Sequence, residues 1–165
     1  MIFRTTYPSP LGQLTLTSDG THITRLWLPG QKYSDLSGEA VADGSLSVFR
    51  EAEQWLDAYF GGEDLPELPP LAPEGTPFRK AVWEALEEIP YGEVTTYGAI
   101  AEKLGCQGIY TSPRAVGGAV GHNPILIFIP CHRVIGADGT LTGYAAGLEA
   151  KRFLLDMESL YSEEP

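Results

Sequence analysis

The chain predicts an α+β fold: a small strand-rich N-terminal domain, then a helical C-terminal domain carrying a helix-turn-helix. Three observations predict it. Short β-branched and aromatic runs separated by turn signals fill the first 29 residues, a segment with four prolines lies between Glu63 and Pro73, and beyond it apolar residues recur at helical spacing. At 165 residues the chain is long enough to bury a core, as one large domain or two small ones. A boundary near Gly75 divides it into 1–75 and 76–165.

Strands are expected over Phe3 to Tyr7, Gln13 to Thr17 and His22 to Leu28, with Ser9-Pro10-Leu11-Gly12 and Ser18-Asp19-Gly20 as the turns between them. An amphipathic helix follows, from about Leu46 to Phe60. Phe49, Ala52, Leu56 and Tyr59 form its apolar stripe, and Gly61-Gly62 stops it. The proline-rich segment then reads as an extended linker. In the second half Thr76 caps and Pro77 opens a helix bearing Phe78, Val82, Trp83 and Leu86, which ends before Pro90-Tyr91-Gly92. A short helix near Thr96 to Leu104, a loop from Gly105 to Ser112 and a helix from Pro113 to Gly121 make the helix-turn-helix. The apolar run Ile125 to Ile129 reads as a strand leading to Cys131. A turn-rich loop, Gly136 to Tyr144, precedes a last helix from about Leu148 to Leu160, with Leu148, Phe153, Leu154 and Leu155 on its apolar side.

Only Cys106 and Cys131 occur, so no disulfide framework is expected, and the N-terminus lacks the charged start and apolar run of a signal peptide. No apolar stretch reaches the length of ~20 residues that spans a bilayer. The expectation is a cytoplasmic monomer. The net charge of −11 argues at face value against a nucleic-acid partner. Its distribution counters that: residues 1–75 carry −7 and residues 76–165 carry −4, and no acidic residue falls between Lys103 and Ala137. Such a window is either a surface kept clear for an anion or a buried segment with few charges of either sign.

The most informative run is Ile129-Pro130-Cys131-His132-Arg133-Val134. A cysteine in an apolar run is ordinarily an inert core residue. Here two basic neighbours and a proline surround it, and a nearby His and Arg can lower a thiol's pKa and support its negative charge. The helix from Pro113 holds Ala115, Gly117, Gly118 and Ala119 and is almost without side chains, although each glycine costs about 1 kcal/mol inside a helix. It suits tight helix–helix packing or an approach to another backbone such as a DNA groove. Glu158 points toward the core side of the last helix; it is either a helix-end residue in water or a partner for His132.

Taken together, Arg114-Ala115-Val116-Gly117-Gly118-Ala119, Asn123-Pro124 and Ile129-Pro130-Cys131-His132-Arg133-Val134 resemble the O6-alkylguanine-DNA alkyltransferases in order and spacing. Glu158, 27 residues after Cys131, falls where that family keeps a glutamate. The resemblance covers Thr76 to Glu158 and implies irreversible transfer of the alkyl group of O6-alkylguanine, and of O4-alkylthymine, to Cys131 after base flipping. It implies that His132, through a water, takes the thiol proton while Glu158 holds the imidazole. It further implies that Asn123 braces the turn before the cysteine and that Tyr97 contacts the guanine or the rotated phosphate. Arg114 would fill the gap in the base stack, with Ala115, Gly117 and Gly118 in the minor groove of double-stranded DNA. Carbonyls near Cys131 and Val134, with Tyr144 and the Ala145 amide, would line the guanine pocket. No cofactor and no metal is implied; the N-terminal half has no Cys and one His, His22, so the zinc site of some relatives has no ligand set there. Two other classes are open to such residues. One is a lesion-binding module of the alkyltransferase-like type, which usually lacks the acceptor cysteine. The other is an unrelated Cys–His hydrolase, which needs an oxyanion hole.

Overall fold

The computed structural model describes residues 2–29, 31 and 40–162. Its contacts divide the chain into two units, Met1–Glu74 and Gly75–Pro165.

In the first unit β1 (Ile2–Ser9), β2 (Gly12–Ser18), β3 (Ile23–Trp27) and β4 (Ala40–Ala42) form one sheet in the order β3-β2-β1-β4. β1 and β2 are an antiparallel hairpin in which Ser9 faces Gly12, and Leu16 of β2 faces Leu26 of β3. Alternation turns Leu14 and Leu16 to one face, both fully buried. Helix α1 (Ser47–Gly61) covers the sheet with Val48, Phe49, Ala52, Trp55, Leu56 and Tyr59, and Gly62 ends it in the left-handed region at φ 69°. Two findings depart from the expectation. β4 pairs parallel with β1, through three residues too short to carry a period of their own. The proline segment is extended but not free: Ile23 donates to the Pro70 carbonyl (2.8 Å) and Ala72 to the Ile23 carbonyl (2.9 Å). That uses the strand-end groups a proline-rich chain can still offer.

In the second unit α2 (Pro77–Glu87), α3 (Tyr97–Cys106) and α4 (Pro113–Gly121) pack on one another. Thr76, Thr96 and Ser112 each cap a helix by accepting from the amide three residues on, at Arg79, Ala99 and Ala115. The Trp83 indole donates to the Ala119 carbonyl at 2.9 Å, which ties α2 to the small-residue helix. Strands β5 (Thr95–Thr96) and β6 (Val134–Ile135) are two residues each and pair in parallel, Thr95 with Val134 and Thr96 with Ile135. This pair, not visible in the sequence, sets the start of α3 beside the segment that follows Cys131. Helix α5 (Leu148–Ser162) closes the unit.

Two expectations are corrected. Ile125 to Ile129 is not a strand but a series of buried turns with isolated bridge pairing, Leu126 with Ile129. Phe128 donates to the Leu126 carbonyl (2.9 Å) around Ile127, a β-branched residue at φ 72°. Such a residue costs on the order of 1–3 kcal/mol and persists because its side chain and its neighbours are wholly buried. A short apolar run looks the same in a buried strand and a buried turn. On α5 the buried face is Lys151, Leu154 and Glu158, whereas Leu148 and Phe153 are exposed.

Candidate active site

Cys131 opens a 3-10 turn, Cys131–Arg133, at the end of the buried turns. Pro130 (φ −80°, ψ 61°) is the centre of an inverse γ-turn in which the Cys131 amide reaches the Ile129 carbonyl at 2.8 Å. Proline's locked φ favours this turn, which accounts for its place before the cysteine. Asn123 holds the entry to the loop: its amide nitrogen donates to the Ile129 carbonyl (2.9 Å) and its oxygen accepts from the Ile125 amide (3.0 Å).

The thiol is 4% exposed and forms part of a cavity of about 300 Å³ lined by Tyr97, Gly117, Val120, Gly121, Cys131, Gly143, Tyr144 and Ala145. That is the lower end of the range for small-molecule pockets. Burial pushes the Cys131 thiol up to about 11, against a hydrogen bond from the Asn123 side chain and the charge of Lys151. Burial therefore outweighs the lowering expected of two basic neighbours, and Arg133 is itself turned away. Its Nε donates to Glu158 Oε1 (2.7 Å) and a terminal nitrogen to the Ile89 carbonyl (2.8 Å), with the guanidinium 5.7 Å over the Tyr91 ring.

His132 is fully buried, and its Nε2 lies 2.5 Å from Glu158 Oε2. Glu158, 1% exposed, also accepts from the Gly92 amide (3.3 Å). Gly92 is at φ 81°, and a Cβ there would come within 2.7 Å of Ser162. Burial alone would raise the Glu158 carboxyl, but the contacts from His132 and then Arg133 outweigh it and hold it at about 2. An ionised carboxylate only accepts, so the proton of His132 sits on Nε2 and Nδ1 is the basic nitrogen. Burial lowers the His132 pKa, against the pull of Glu158. With Arg133 neutralising Glu158, the imidazole can stay neutral and able to take a proton. Glu158 is thus a core residue and not a frayed helix end.

Lys151 was not singled out by the sequence reading. It is fully buried, and its ammonium donates to the carbonyls of Val134 (2.6 Å) and Thr142 (3.0 Å). Its signal was the spacing 151, 154, 158, one stripe of a helix. Val134 lies outside the cavity lining, and its carbonyl is engaged by Lys151. The Cys131 carbonyl accepts from the Val134 amide. The Tyr144 hydroxyl is buried without a hydrogen-bond partner among the described residues, and burial, then the nearby Cys131 and Glu158, hold its pKa well above the ordinary value. On α4, Arg114, Ala115 and Gly118 face outward and exposed, while Gly117 turns to the cavity and the Tyr97 ring. Within the acid-free window Ile125 to Val134 are buried, whereas Arg114, Ala115 and Gly118 on α4 are exposed. Among the described residues no group of three or more His, Cys, Asp or Glu is placed to hold a metal ion, and no helix is long and apolar enough to cross a membrane.

The second unit thus sets a small-residue helix beside a cavity that a buried cysteine helps to line, with a His–Glu–Arg cluster next to that cysteine in the chain. The comparisons with known proteins narrow the class. Residues 77–160 match the 6-O-methylguanine DNA methyltransferase DNA binding domain, and residues 2–71 match the ribonuclease-like domain of the same enzyme. The methylated-DNA–protein-cysteine methyltransferase of Haemophilus influenzae is 46% identical over 160 residues, which is 96% of this chain and 87% of that one. Its counterpart in Methanosarcina acetivorans is 47% identical over 92% of this chain and 95% of its own. The crystal structure of Mycobacterium tuberculosis OGT in complex with DNA is 43% identical and superposes with a TM-score of 0.87, covering 96% of this chain and 94% of that one. The chain belongs to the 6-O-methylguanine DNA methyltransferase family.

Proposed function

We infer that this protein repairs DNA by moving the alkyl group of an O6-alkylated guanine onto the sulfur of Cys131, once per molecule. The observation that carries this is the placement of Cys131 in a cavity with a neutral, Glu158-held imidazole next to it in the chain. The buried thiol is protonated at neutral pH, so the reaction begins with transfer of its proton to Nδ1 of His132, through a water. The sulfur then attacks the alkyl carbon in line with the C–O bond. The S–C bond forms as the C–O bond breaks, its electron pair stays on the guanine oxygen, and guanine takes up a proton. Tyr97 and Tyr144 are the cavity's phenol donors for that base, and the Tyr144 hydroxyl has no hydrogen-bond partner among the described residues. A thioether offers water no leaving group under mild conditions, which makes the transfer irreversible. The presence of the acceptor cysteine disfavours a purely lesion-binding role.

The test is intact-mass spectrometry after incubation with duplex DNA carrying O6-methylguanine. One methyl group gained per protein, on the peptide holding Cys131, is expected. More than one methyl removed per protein would rule out the single-use mechanism.

The exposed face of α4, with Arg114 near its start and only small residues after it, fits the minor groove of the duplex, where bulk would clash. Arg114 occupies the gap left by the flipped base, which offsets part of an unstacking cost of a few kcal/mol. Arg114→Ala should therefore slow repair of duplex DNA by roughly 10- to 100-fold and leave reaction with free O6-benzylguanine within about twofold. Arg114→Lys should rescue poorly, since it restores charge without the planar group. Second-order rates on both substrates check this; equal losses on the two would remove Arg114 from the stack.

A further inference from the structure

Tyr97 is the first residue of α3, and its ring packs over Gly117 of α4, where a Cβ would come within 3.7 Å of it. Its hydroxyl lies 2.6 Å from Oγ1 of Thr142. Thr142 stands in the segment between β6 and α5, immediately before Gly143, Tyr144 and Ala145, which line the cavity. Through its carbonyl the same residue accepts from Lys151, whose ammonium also donates to the Val134 carbonyl, three residues beyond Cys131. One threonine therefore joins Tyr97 on its side-chain side to α5 and the cysteine segment on its backbone side. Both residues are half-buried, so the bond is partly screened from water.

A phenol and a threonine hydroxyl each carry one proton and can each accept. If Thr142 donates, Tyr97 keeps its own proton for a group in the cavity, and accepting a bond makes the phenol a stronger donor. A donor held in this way acts on charge that develops on the departing guanine. It contributes in the transition state more than in the bound ground state, and so raises the rate at saturation and not the affinity.

We propose that Thr142 is a positioning residue for alkyl transfer: its hydroxyl fixes the Tyr97 phenol at the Cys131 cavity and directs the Tyr97 proton to the alkylated base. This rests on the alkyl-transfer reading above.

The experiment is a single-turnover double-mutant cycle on methylated duplex DNA with the full chain as wild type, Thr142→Val, Thr142→Ser, Tyr97→Phe and the Thr142→Val/Tyr97→Phe pair. Thr142→Val keeps the shape and removes the hydroxyl. It should lower the saturating rate roughly three- to tenfold, the worth of one hydrogen bond, with the duplex Kd within about twofold. Thr142→Ser should restore the rate to within about twofold of wild type, and the double variant should match Tyr97→Phe alone. Thr142→Ser as slow as Thr142→Val, or a full further loss from Thr142→Val in the Tyr97→Phe background, would overturn the proposal and leave the alkyl-transfer reading standing. No methyl on Cys131 of the wild-type chain would overturn that reading, and the proposal with it.

Discussion

Replacing Cys131 by serine is expected to abolish alkyl transfer, by at least ~10³-fold, with affinity for lesion-bearing duplex DNA kept within about threefold. The thiol is 4% exposed, so it adds almost nothing to a DNA-facing surface, and serine is smaller than the space cysteine leaves. A hydroxyl in this place has the same Asn123 partner but gives up its proton far less readily than even a thiol pushed up to about 11. The exposed Cys106, at the end of α3, serves as the control, and Cys106→Ser should transfer at the wild-type rate. Because the His132 pKa lies below its ordinary 6.5, the wild-type rate on free O6-benzylguanine should hold level as pH falls through 6.5 and drop only when the imidazole protonates. Residual transfer by Cys131→Ser within about tenfold of wild type would displace Cys131 as the acceptor.

Glu158→Gln is expected to cost about 3–5 kcal/mol of stability and to slow transfer roughly 10²- to 10⁴-fold at temperatures where the variant is still folded. The carboxylate is 1% exposed and serves three donors, from Arg133, His132 and Gly92. An amide presents one acceptor and one donor to them. It leaves the Arg133 guanidinium buried without its counter-charge and no longer dictates which nitrogen of His132 bears the proton. The pH dependence separates the two losses. The folded carboxyl lies at about 2, below its ordinary 4.5, so its ionised form stabilises the fold fully above 4.5 and that contribution is lost as pH falls toward 2. The lowered His132 pKa acts with the same sign, from 6.5 downward. Wild-type melting temperature should fall steeply between pH 4.5 and 2, and the Glu158→Gln curve should be flatter there. Equal slopes, with transfer unchanged, would mean that Glu158 does not hold His132 for the reaction.

Much of this molecule follows from local chemistry written in the chain. Thr76-Pro77, Thr96 and Ser112-Pro113 cap and open helices wherever they fold, because the cap satisfies amides within the same turn. The turn at Ser9 to Gly12 joins two strands adjacent in sequence, so their ladder is also local, with Ser9 facing Gly12 and Phe3 facing Ser18. The motif around Cys131 points to a nucleophile with a histidine beside it, the reading proposed above, since nothing in an inert core calls for two basic neighbours. What only the tertiary structure decided concerns groups far apart in sequence. Whether Arg133 served the thiol or Glu158 depended on where α5 lies, and burial of Cys131, which no neighbour in sequence reports, reversed the expected direction of its pKa. Lys151 became part of the site because a buried stripe on α5 met the carbonyls of Val134 and Thr142. The two-residue β5–β6 pair, too short for any periodicity, brought Tyr97 to the cavity. The apolar turns of Ile125 to Ile129 likewise resemble a strand until packing forces Ile127 to φ 72°. Local hydrogen bonds and periodicity are properties of a segment, whereas desolvation, charge pairing and strain are properties of what surrounds it.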